Sequence, residues 1–193
     1  TPVDRHFLPD LLPLESACME IQKNLSKGQL IVVESTVYPG TTEEIVKPIL
    51  EKSGLAAEKD FFLVHCPERI DPANPKWDVS NIPRVLGGLS RKGALAGKKF
   101  YESIIGAKIT MLKSAKEAEA VKVTENTFRD INIAFVNELA QSFAKMGIDI
   151  TEVIKGASTK PFGYMPFFPG PGVGGHCIPV DPYYLIEKSK SKG

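Results

Sequence analysis

One stretch of the chain holds a thiol among residues that constrain a loop. The run Pro169–Pro182 reads Pro-Gly-Pro-Gly-Val-Gly-Gly-His-Cys-Ile-Pro-Val-Asp-Pro. Proline fixes φ and glycine permits unusual values of φ, so the backbone around Cys177 is restricted. His176 precedes this cysteine and Asp181 follows it four residues later. The pattern predicts a site that positions a nucleophilic sulfur; the alternative is a surface turn with an incidental cysteine.

The same run contains Gly170, Gly172 and Gly175, which satisfy the spacing G-x-G-x-x-G. The dinucleotide-binding form of that motif needs a strand before it and a helix that opens within it. Here the segment Pro166–Pro169 precedes the glycines and further prolines follow them. We therefore interpret the glycines as positions where the backbone approaches a ligand closely.

A cysteine attacks as the thiolate, and a lysine beside it lowers its pKa. Lys122 and Asn126 are one helical turn apart and share a face. If they face Cys177, they stabilise an oxyanion on a carbon bonded to sulfur. Asp181 then orients a water or transfers a proton, and Glu68 serves in the hydrolysis of a thioester. Periodicity establishes only the Lys122–Asn126 pairing.

Strand and helix patterns alternate through the first part of the chain, which predicts an α/β fold with a parallel sheet and crossover helices. Thr36 and Glu68 follow two of the strands, where ligands of such sheets bind. The alternatives are a turn hydroxyl at Thr36 and a solvated charge at Glu68. The predicted strands are 29–34, 61–65, 84–87 and 108–112, and the predicted helices are 15–25, 41–52 (with a capping box of Thr41 and Glu44) and 90–102.

From residue 114 to residue 146 the pattern changes to one long helix with two apolar stripes. Its length of roughly 50 Å exceeds what a small domain needs. We expect a spacer between two domains that is also the core of a homodimer. Short helices are predicted over 151–155 and 183–188, the latter with Asp181 as N-cap and Pro182 at its first position.

The composition is that of an ordinary globular protein, with 42% hydrophobic and 24% charged residues among 193. The net charge of +1 gives no indication of a nucleic-acid or membrane-surface partner. No apolar run reaches membrane-spanning length. Three cysteines form no disulfide framework, which is typical of a reducing cytoplasm.

Several motifs, in order and at compatible spacing, resemble those of the nucleotide-sugar 6-dehydrogenases, the UDP-glucose and UDP-N-acetylhexosamine dehydrogenase family. The run Gly174–Pro182 is similar to the family's catalytic loop, and Glu34–Thr42 to its Ser-Thr-Val segment. Cys66–Arg69 is similar to its Pro-Glu motif, and Glu119–Lys122 with Asn126 to its central helix. The resemblance covers nearly the whole chain.

The resemblance implies a role for each matching residue. Cys177 would be the nucleophile, Lys122 and Asn126 would stabilise charge on the reacting oxygen, Asp181 would assist proton transfer and Glu68 would aid thioester hydrolysis. The implied contacts to NAD come from Thr1, Thr36 and Glu68, and those to the sugar from Arg69, Lys122, Asn126 and Gly174. No metal is implied.

The resemblance also implies a domain division and a substrate. Residues 1–112 would be the rear part of a Rossmann-like NAD domain, and residues 113–193 a helical central domain with the cysteine loop. The family's glycine-rich βαβ unit and its UDP-binding domain would lie outside this chain, so we expect the chain alone to be inactive. Arg69–Asn74 and His176 are more similar to the branch that oxidises UDP-N-acetylhexosamines than to the UDP-glucose branch. Whether the sugar is N-acetylglucosamine, N-acetylmannosamine or N-acetylgalactosamine stays open.

Three other interpretations compete with a dehydrogenase. One is a cysteine-dependent hydrolase or acyltransferase with a histidine as base, for which His6, His65 and His176 are the candidates. Another is a helical dimerisation module without catalysis. A metal site from His176, Cys177 and Asp181 is the third, although its spacing matches no closed zinc pattern.

Overall fold

The structure of the chain, a computed structural model, describes residues 2–71 and 74–191. Every predicted strand and helix is present among them. The strands are β1 (Leu30–Val33), β2 (Phe62–His65), β3 (Arg84–Gly88) and β4 (Ile109–Met111). The helices are α1 (Leu12–Asn24), α2 (Lys47–Glu51, directly after a π-helical turn at Thr42–Val46), α3 (Arg91–Ile104), α4 (Ala115–Lys145), α5 (Ile150–Ala157) and α6 (Asp181–Lys190).

The chain divides into two compact units, and the division falls within α4. Residues 1–124 and 183–193 form the first unit, which contains the sheet. Residues 125–182 form the second, which contains the rest of α4, α5 and the glycine-rich run. The predicted domain boundary at residue 112 remains a prediction.

The sheet has four strands in the order β1-β2-β3-β4, and with its helices it confirms the α/β fold class. The expectation that all strands run parallel is wrong at one pair, because β2 and β3 are antiparallel. The described residues between these strands form no crossover helix, so the chain turns back on itself. β1 and β2 are parallel neighbours, and their carboxyl ends therefore lie at the same edge of the sheet.

Each face of the sheet has its own apolar core. The alternation of side chains along β2 separates Leu63, on one face, from Val64, on the other. On the first face the buried side chains are Cys18, Val33, Val46, Leu50, Phe61 and Leu63, and on the second they are Val64, Cys66, Leu86, Ala94, Tyr101 and Ile109. These cores fix the ends of β1 and β2, from which the candidate ligand residues extend.

The predicted capping box of Thr41 and Glu44 is wrong. The hydroxyl of Thr41 donates to the carbonyl of Tyr38 at 2.7 Å and caps no helix. The carboxylate of Glu44 forms ion pairs with Lys188 at 2.5 Å and with Lys116 at 4.0 Å. The side chains of Thr41 and Glu44 therefore do not cap this helix.

In the second unit, the apolar stripe of α4 is largely exposed. Phe128, Ile131 and Phe135 keep 45%, 60% and 58% of their surface accessible. An apolar groove of about 710 Å³ lies beside this stripe and is also lined by α5 residues such as Val153 and Ile154. These three side chains are not buried within the single chain, and the predicted role of the helix as a dimer core stays a prediction.

In the part of the chain that the structure describes, no helix combines the length and the apolar character needed to cross a membrane.

His65 lies at the end of β2 with no exposed surface, and neither ring nitrogen has a hydrogen-bond partner. Burial lowers the pKa of His65 from 6.5 to about 3, since the charged ring would lose its hydration. Below pH 6.5 the unfolded chain therefore binds a proton on this ring, whereas the folded chain does not. The contribution of the neutral, buried ring to the free energy of unfolding is fully present above pH 6.5 and is lost as the pH falls toward 3.

We predict that His65→Phe removes this acid sensitivity. Between pH 7 and pH 5 the free energy of unfolding should fall by about 2 kcal/mol more in the wild-type chain than in the variant. Urea titrations at both pH values measure the difference. The exposed His6→Phe substitution is the matched control and should behave as wild type. Equal pH dependence in wild type and His65→Phe would contradict the prediction.

Candidate active site

Glu68 follows β2 and is held by three hydrogen bonds. Its Oε1 accepts the backbone N–H groups of Arg69 at 2.6 Å and Ile70 at 2.7 Å. Its Oε2 accepts from Nη2 of Arg84 at 2.8 Å. Its own N–H donates to the carbonyl of Glu34, which follows β1, at 3.3 Å. The carboxylate is thereby fixed at the edge where β1 and β2 end.

Arg84, which sequence reasoning did not single out, organises this edge. Its guanidinium is almost fully buried, lies 5.3 Å from the ring centre of Tyr101, and pairs with both Glu68 and Glu34. The hydroxyl of Tyr101 donates to the carboxylate of Glu34. Burial raises the pKa of Tyr101, and Glu34 raises it further. One feature of the sequence could have identified Arg84: it is a charged residue at the first position of a buried strand.

Cys66 is not a second nucleophile at this edge. It is fully buried beside Arg84 and Tyr101, and burial raises the pKa of its thiol. The thiol therefore stays protonated at neutral pH. Cys177 is the one exposed cysteine among the three, all of which are described.

The turn that follows β1 is tied to α4 by Glu119. Glu119 is 1% exposed, and its Oε2 accepts the N–H of Gly40 at 2.5 Å. Its Oε1 accepts both the N–H of Thr42, at 2.7 Å, and the hydroxyl of Thr42, at 2.6 Å. Burial raises the pKa of Glu119, and these hydrogen bonds oppose the rise. The carboxylate supplies the cap that Thr41 does not.

The donor groups at the β1–β2 edge fit a dinucleotide. Ser35 and Thr36 bring neutral hydroxyls to the end of β1, and Thr36 is half-buried. The acidic side chains beside them, Glu34 and Glu68, are both paired with Arg84. The two carboxylates share the single positive charge of Arg84, so this edge keeps a net negative charge. Its hydroxyls would suit the uncharged ribose and nicotinamide parts of a dinucleotide better than its phosphates.

In the second unit, two of the predicted catalytic residues meet. Nδ2 of Asn126, on α4, donates to Oδ2 of Asp181 at 2.5 Å, although the residues are 55 positions apart. Both side chains are buried. Asp181 begins α6, as its predicted N-cap position implies, and its side chain also reaches the long helix.

The cysteine loop is linked to the same pair through its backbone. The carbonyl of Cys177 accepts the N–H of Asp181 at 2.9 Å. Gly174 and Gly175 have φ of +62° and +76°, values that side chains disfavour, which explains the glycines before the thiol. No strand or helix lies between Ala157 and Asp181, all of whose residues are described, which confirms that the glycines form no dinucleotide motif.

The roles of the other predicted residues stay predictions. Lys122 is half-buried on α4 in the first unit, and Gly174 lies in the exposed cysteine loop. Arg69 donates from Nη1 to the carbonyl of Pro83 at 2.9 Å. Thr1, and residues 72 and 73 of the Arg69–Asn74 motif, lie outside the described residues.

Within residues 2–71 and 74–191, no group of three or more His, Cys, Asp and Glu side chains is placed to hold a metal ion.

Comparison with protein families gives two matches that together cover most of the chain. Residues 1–105 match the NAD binding domain of the UDP-glucose/GDP-mannose dehydrogenase family, and residues 116–193 match its central domain. A fold with these two parts defines an enzyme class, the NAD-dependent dehydrogenases. The chain belongs to the UDP-glucose/GDP-mannose dehydrogenase family, which confirms the resemblance and NAD as the cofactor.

Individual relatives agree with this assignment. UDP-N-acetyl-D-glucosamine 6-dehydrogenase from Pseudomonas aeruginosa is 51% identical over 194 residues, which is 100% of this chain and 46% of that protein. UDP-N-acetyl-D-mannosamine dehydrogenase from Methanocaldococcus jannaschii is 42% identical over 182 residues, which is 94% of this chain and 41% of that protein. The solved structure of a UDP-D-ManNAc dehydrogenase from Pyrococcus horikoshii has a TM-score of 0.92 at 40% identity and covers 98% of this chain and 45% of that one. The chain spans about half the length of the curated relatives that it matches.

The Asn126–Asp181 hydrogen bond yields a quantitative prediction. Removal of the amide leaves a buried carboxylate without this donor, which costs about 1–3 kcal/mol. In a double-mutant cycle, Asn126→Ala and Asp181→Ala should be non-additive by at least about 1 kcal/mol in the free energy of unfolding. Asn132→Ala is the control, because Asn132 lies on the same helix and bonds locally, to the carbonyl of Phe128. Additive effects would show that the two residues do not depend on each other.

Proposed function

We propose that the whole protein oxidises the C6 hydroxyl of a UDP-N-acetylhexosamine to the carboxylate, with NAD as oxidant. The observation that carries the proposal is the connection of Cys177, Asp181 and Asn126. The Cys177 carbonyl accepts the Asp181 amide, and the Asp181 carboxylate accepts the Asn126 amide. A nucleophile, an acid–base group and an amide donor are thereby connected in one unit. The names of the relatives support the substrate class.

The proposed roles are divided between the two parts of the chain that match the family. Residues 1–112 contribute the rear part of the NAD domain, and residues 113–193 contribute the central helix and the cysteine loop. Thr1, Thr36 and Glu68 contact NAD, while Arg69, Lys122, Asn126 and Gly174 contact the sugar. When bound, NAD supplies a hydride acceptor.

In the first proposed oxidation, the hydroxyl proton of the C6 alcohol passes to Asp181 or to a water that Asp181 orients, and a bound NAD⁺ would accept the hydride from C6. Lys122 and Asn126 stabilise the negative charge that develops on the oxygen. The Cys177 sulfur then adds to the aldehyde and forms a thiohemiacetal, whose oxygen takes up the thiol proton. The carbon is now ready for a second hydride loss.

The second oxidation converts the thiohemiacetal into a thioester: its hydroxyl proton passes to Asp181 or to the water that Asp181 orients, and a bound NAD⁺ would accept the hydride. Water then attacks the thioester carbon and the carbon–sulfur bond breaks. One water proton restores the Cys177 thiol, and the other is released to solvent with the carboxylate product. Glu68 aids this step by accepting a hydrogen bond from the attacking water. Its position is supported by its hydrogen bonds to Arg84 and to two backbone amides.

The rival hydrolase needs a histidine base, and the described histidines do not favour one. His65 is fully buried, and a pKa lowered to about 3 makes it a weak base. His176 is adjacent to Cys177 in the chain, and adjacent side chains rarely face each other. Nε2 of His6 accepts a hydrogen bond from Nε of Arg5, its neighbour in the chain. Among the described residues, no observation favours a histidine base for Cys177.

The first test of the proposed function counts NADH. The full gene product is mixed with NAD and, separately, with UDP-N-acetylglucosamine, UDP-N-acetylmannosamine, UDP-N-acetylgalactosamine and UDP-glucose. We expect two NADH per sugar consumed for an N-acetylhexosamine, and no product from Cys177→Ala. The buried Cys18→Ala is the matched control and should keep the same ratio. One NADH per sugar would remove the assigned role from Cys177, and none with any sugar would refute the function.

We further propose that the protein is a homodimer through the 114–146 helix. The support is the exposed apolar stripe of Phe128, Ile131 and Phe135, which a monomer would leave in water. The groove beside the stripe extends the apolar surface onto α5. Such a surface is typical of the core of a permanent interface.

A charge in the centre of this stripe should separate the copies. We predict that Phe135→Glu converts the dimer into a monomer, as measured by light scattering of the eluting protein. The control is Phe100→Glu on α3, since Phe100 is similarly exposed but lies on another helix. A Phe135→Glu protein that remains dimeric, or a monomeric wild type, would contradict the proposed interface.

A further inference from the structure

We infer that Glu119 is a positioning residue of the proposed reaction, because its carboxylate fixes the turn after Thr36 to the helical turn that carries Lys122. This inference rests on the proposed function, in which Thr36 contacts NAD and Lys122 the reacting oxygen. Glu119 touches neither ligand in this account. It sets the distance between two elements that do.

Both carboxylate oxygens of Glu119 are directed at one turn. One oxygen accepts from Gly40 and the other accepts twice from Thr42, all at 2.5–2.7 Å. The three residues are buried, so water does not compete for these bonds. Hydrogen bonds to a carboxylate in such surroundings are the strong ones.

The turn has no equally buried support from its own side chains, and the ion pair of Glu44 with Lys188 joins its helix to α6 rather than to α4. Thr41 provides no helix cap, and its hydroxyl is used within the turn. Gly40 has φ of +105°, a conformation that a side chain would disfavour. The ion pair of Glu43 with Lys116, at 2.9 Å, also joins this helix to α4 but is half-exposed, and such pairs contribute little.

The start of α4 is itself fixed. A Cβ on Gly87 of β3 would lie 1.9 Å from the carbonyl oxygen of Ser114, so only glycine permits this approach of the sheet to the helix. The turn that holds Glu119 therefore cannot shift to follow the loop. Lys122 is one turn further along the same helix. The segment after Thr36 adopts its position because Glu119 holds it there.

The test compares Glu119→Gln with Glu43→Gln in the full gene product. The carboxamide that replaces the Glu119 carboxylate presents an NH₂ group where an oxygen accepted, and it has no charge. We expect the Kd and KM for NAD to rise about ten-fold and kcat to fall, while the Kd for the UDP-sugar changes less than about two-fold. Thr42→Val, which removes the hydroxyl donor alone, should give a smaller rise of the same kind. Glu43→Gln should match wild type.

A structural role alone would lower the melting temperature and the yield of active enzyme but leave the Kd for NAD unchanged in the folded fraction. That result, in Glu119→Gln or, if it does not fold, in Thr42→Val, would overturn the inference. Calorimetric titration with NAD needs no sugar turnover. A wild type that binds NAD without oxidising any UDP-sugar would refute the proposed function and still allow the Glu119 test. A wild type that does not bind NAD would overturn both.

Discussion

The buried carboxylate of Glu119 is the contact on which the arrangement of the first unit depends. A carboxylate in an apolar interior is costly unless donors surround it, and here three donors from one turn do so. The bond spans 77 positions of sequence and joins the end of the first strand to the long helix. The turn therefore adopts its native shape only when α4 is in place. Folding of the sheet and placement of the helix are thereby coupled.

A second buried charge organises the neighbouring edge. Arg84 lies beneath Glu34 and Glu68 and beside Tyr101, so the carboxyl ends of two parallel strands are held by one guanidinium. Breaking such a pair would leave an uncompensated charge in the interior, which is why the network acts as a unit. In the second unit, Asn126 and Asp181 fix the backbone that carries Cys177 in the same manner. Polar contacts across long sequence separations thus define both parts of the proposed site, while the apolar cores provide the scaffold.

Much of this arrangement was predictable from local pattern. Hydrophobic runs and helical periodicity predicted the four strands and six helices, because burial imposes periods of 2 and 3.6 on the sequence. Local pattern did not predict the antiparallel β2–β3 pair, since a loop carries no signal for the direction of the following strand. The capping box at Thr41 matched a local rule that a remote carboxylate overrode. Arg84 and Glu119 were not assigned roles, because their partners lie 50 and 77 positions away in the chain. The pairing of Asn126 with Asp181 was anticipated only in that both were assigned to one site, first as a hypothesis from their chemistry and then by family resemblance.

The central claim is that Cys177 carries the sugar during the second oxidation. In the most direct measurement, the full gene product with the Glu68→Gln substitution is mixed with NAD and the UDP-sugar that it oxidises. The reaction is quenched in acid after milliseconds to seconds, and the mass of the peptide that contains Cys177 is measured by mass spectrometry. The account predicts that, when NAD is present, the mass of that peptide increases by the mass of the nucleotide-sugar acyl group. This thioester should accumulate because the variant hydrolyses it slowly. If NADH forms while the Cys177 peptide keeps its unmodified mass at every time point, the covalent mechanism is contradicted.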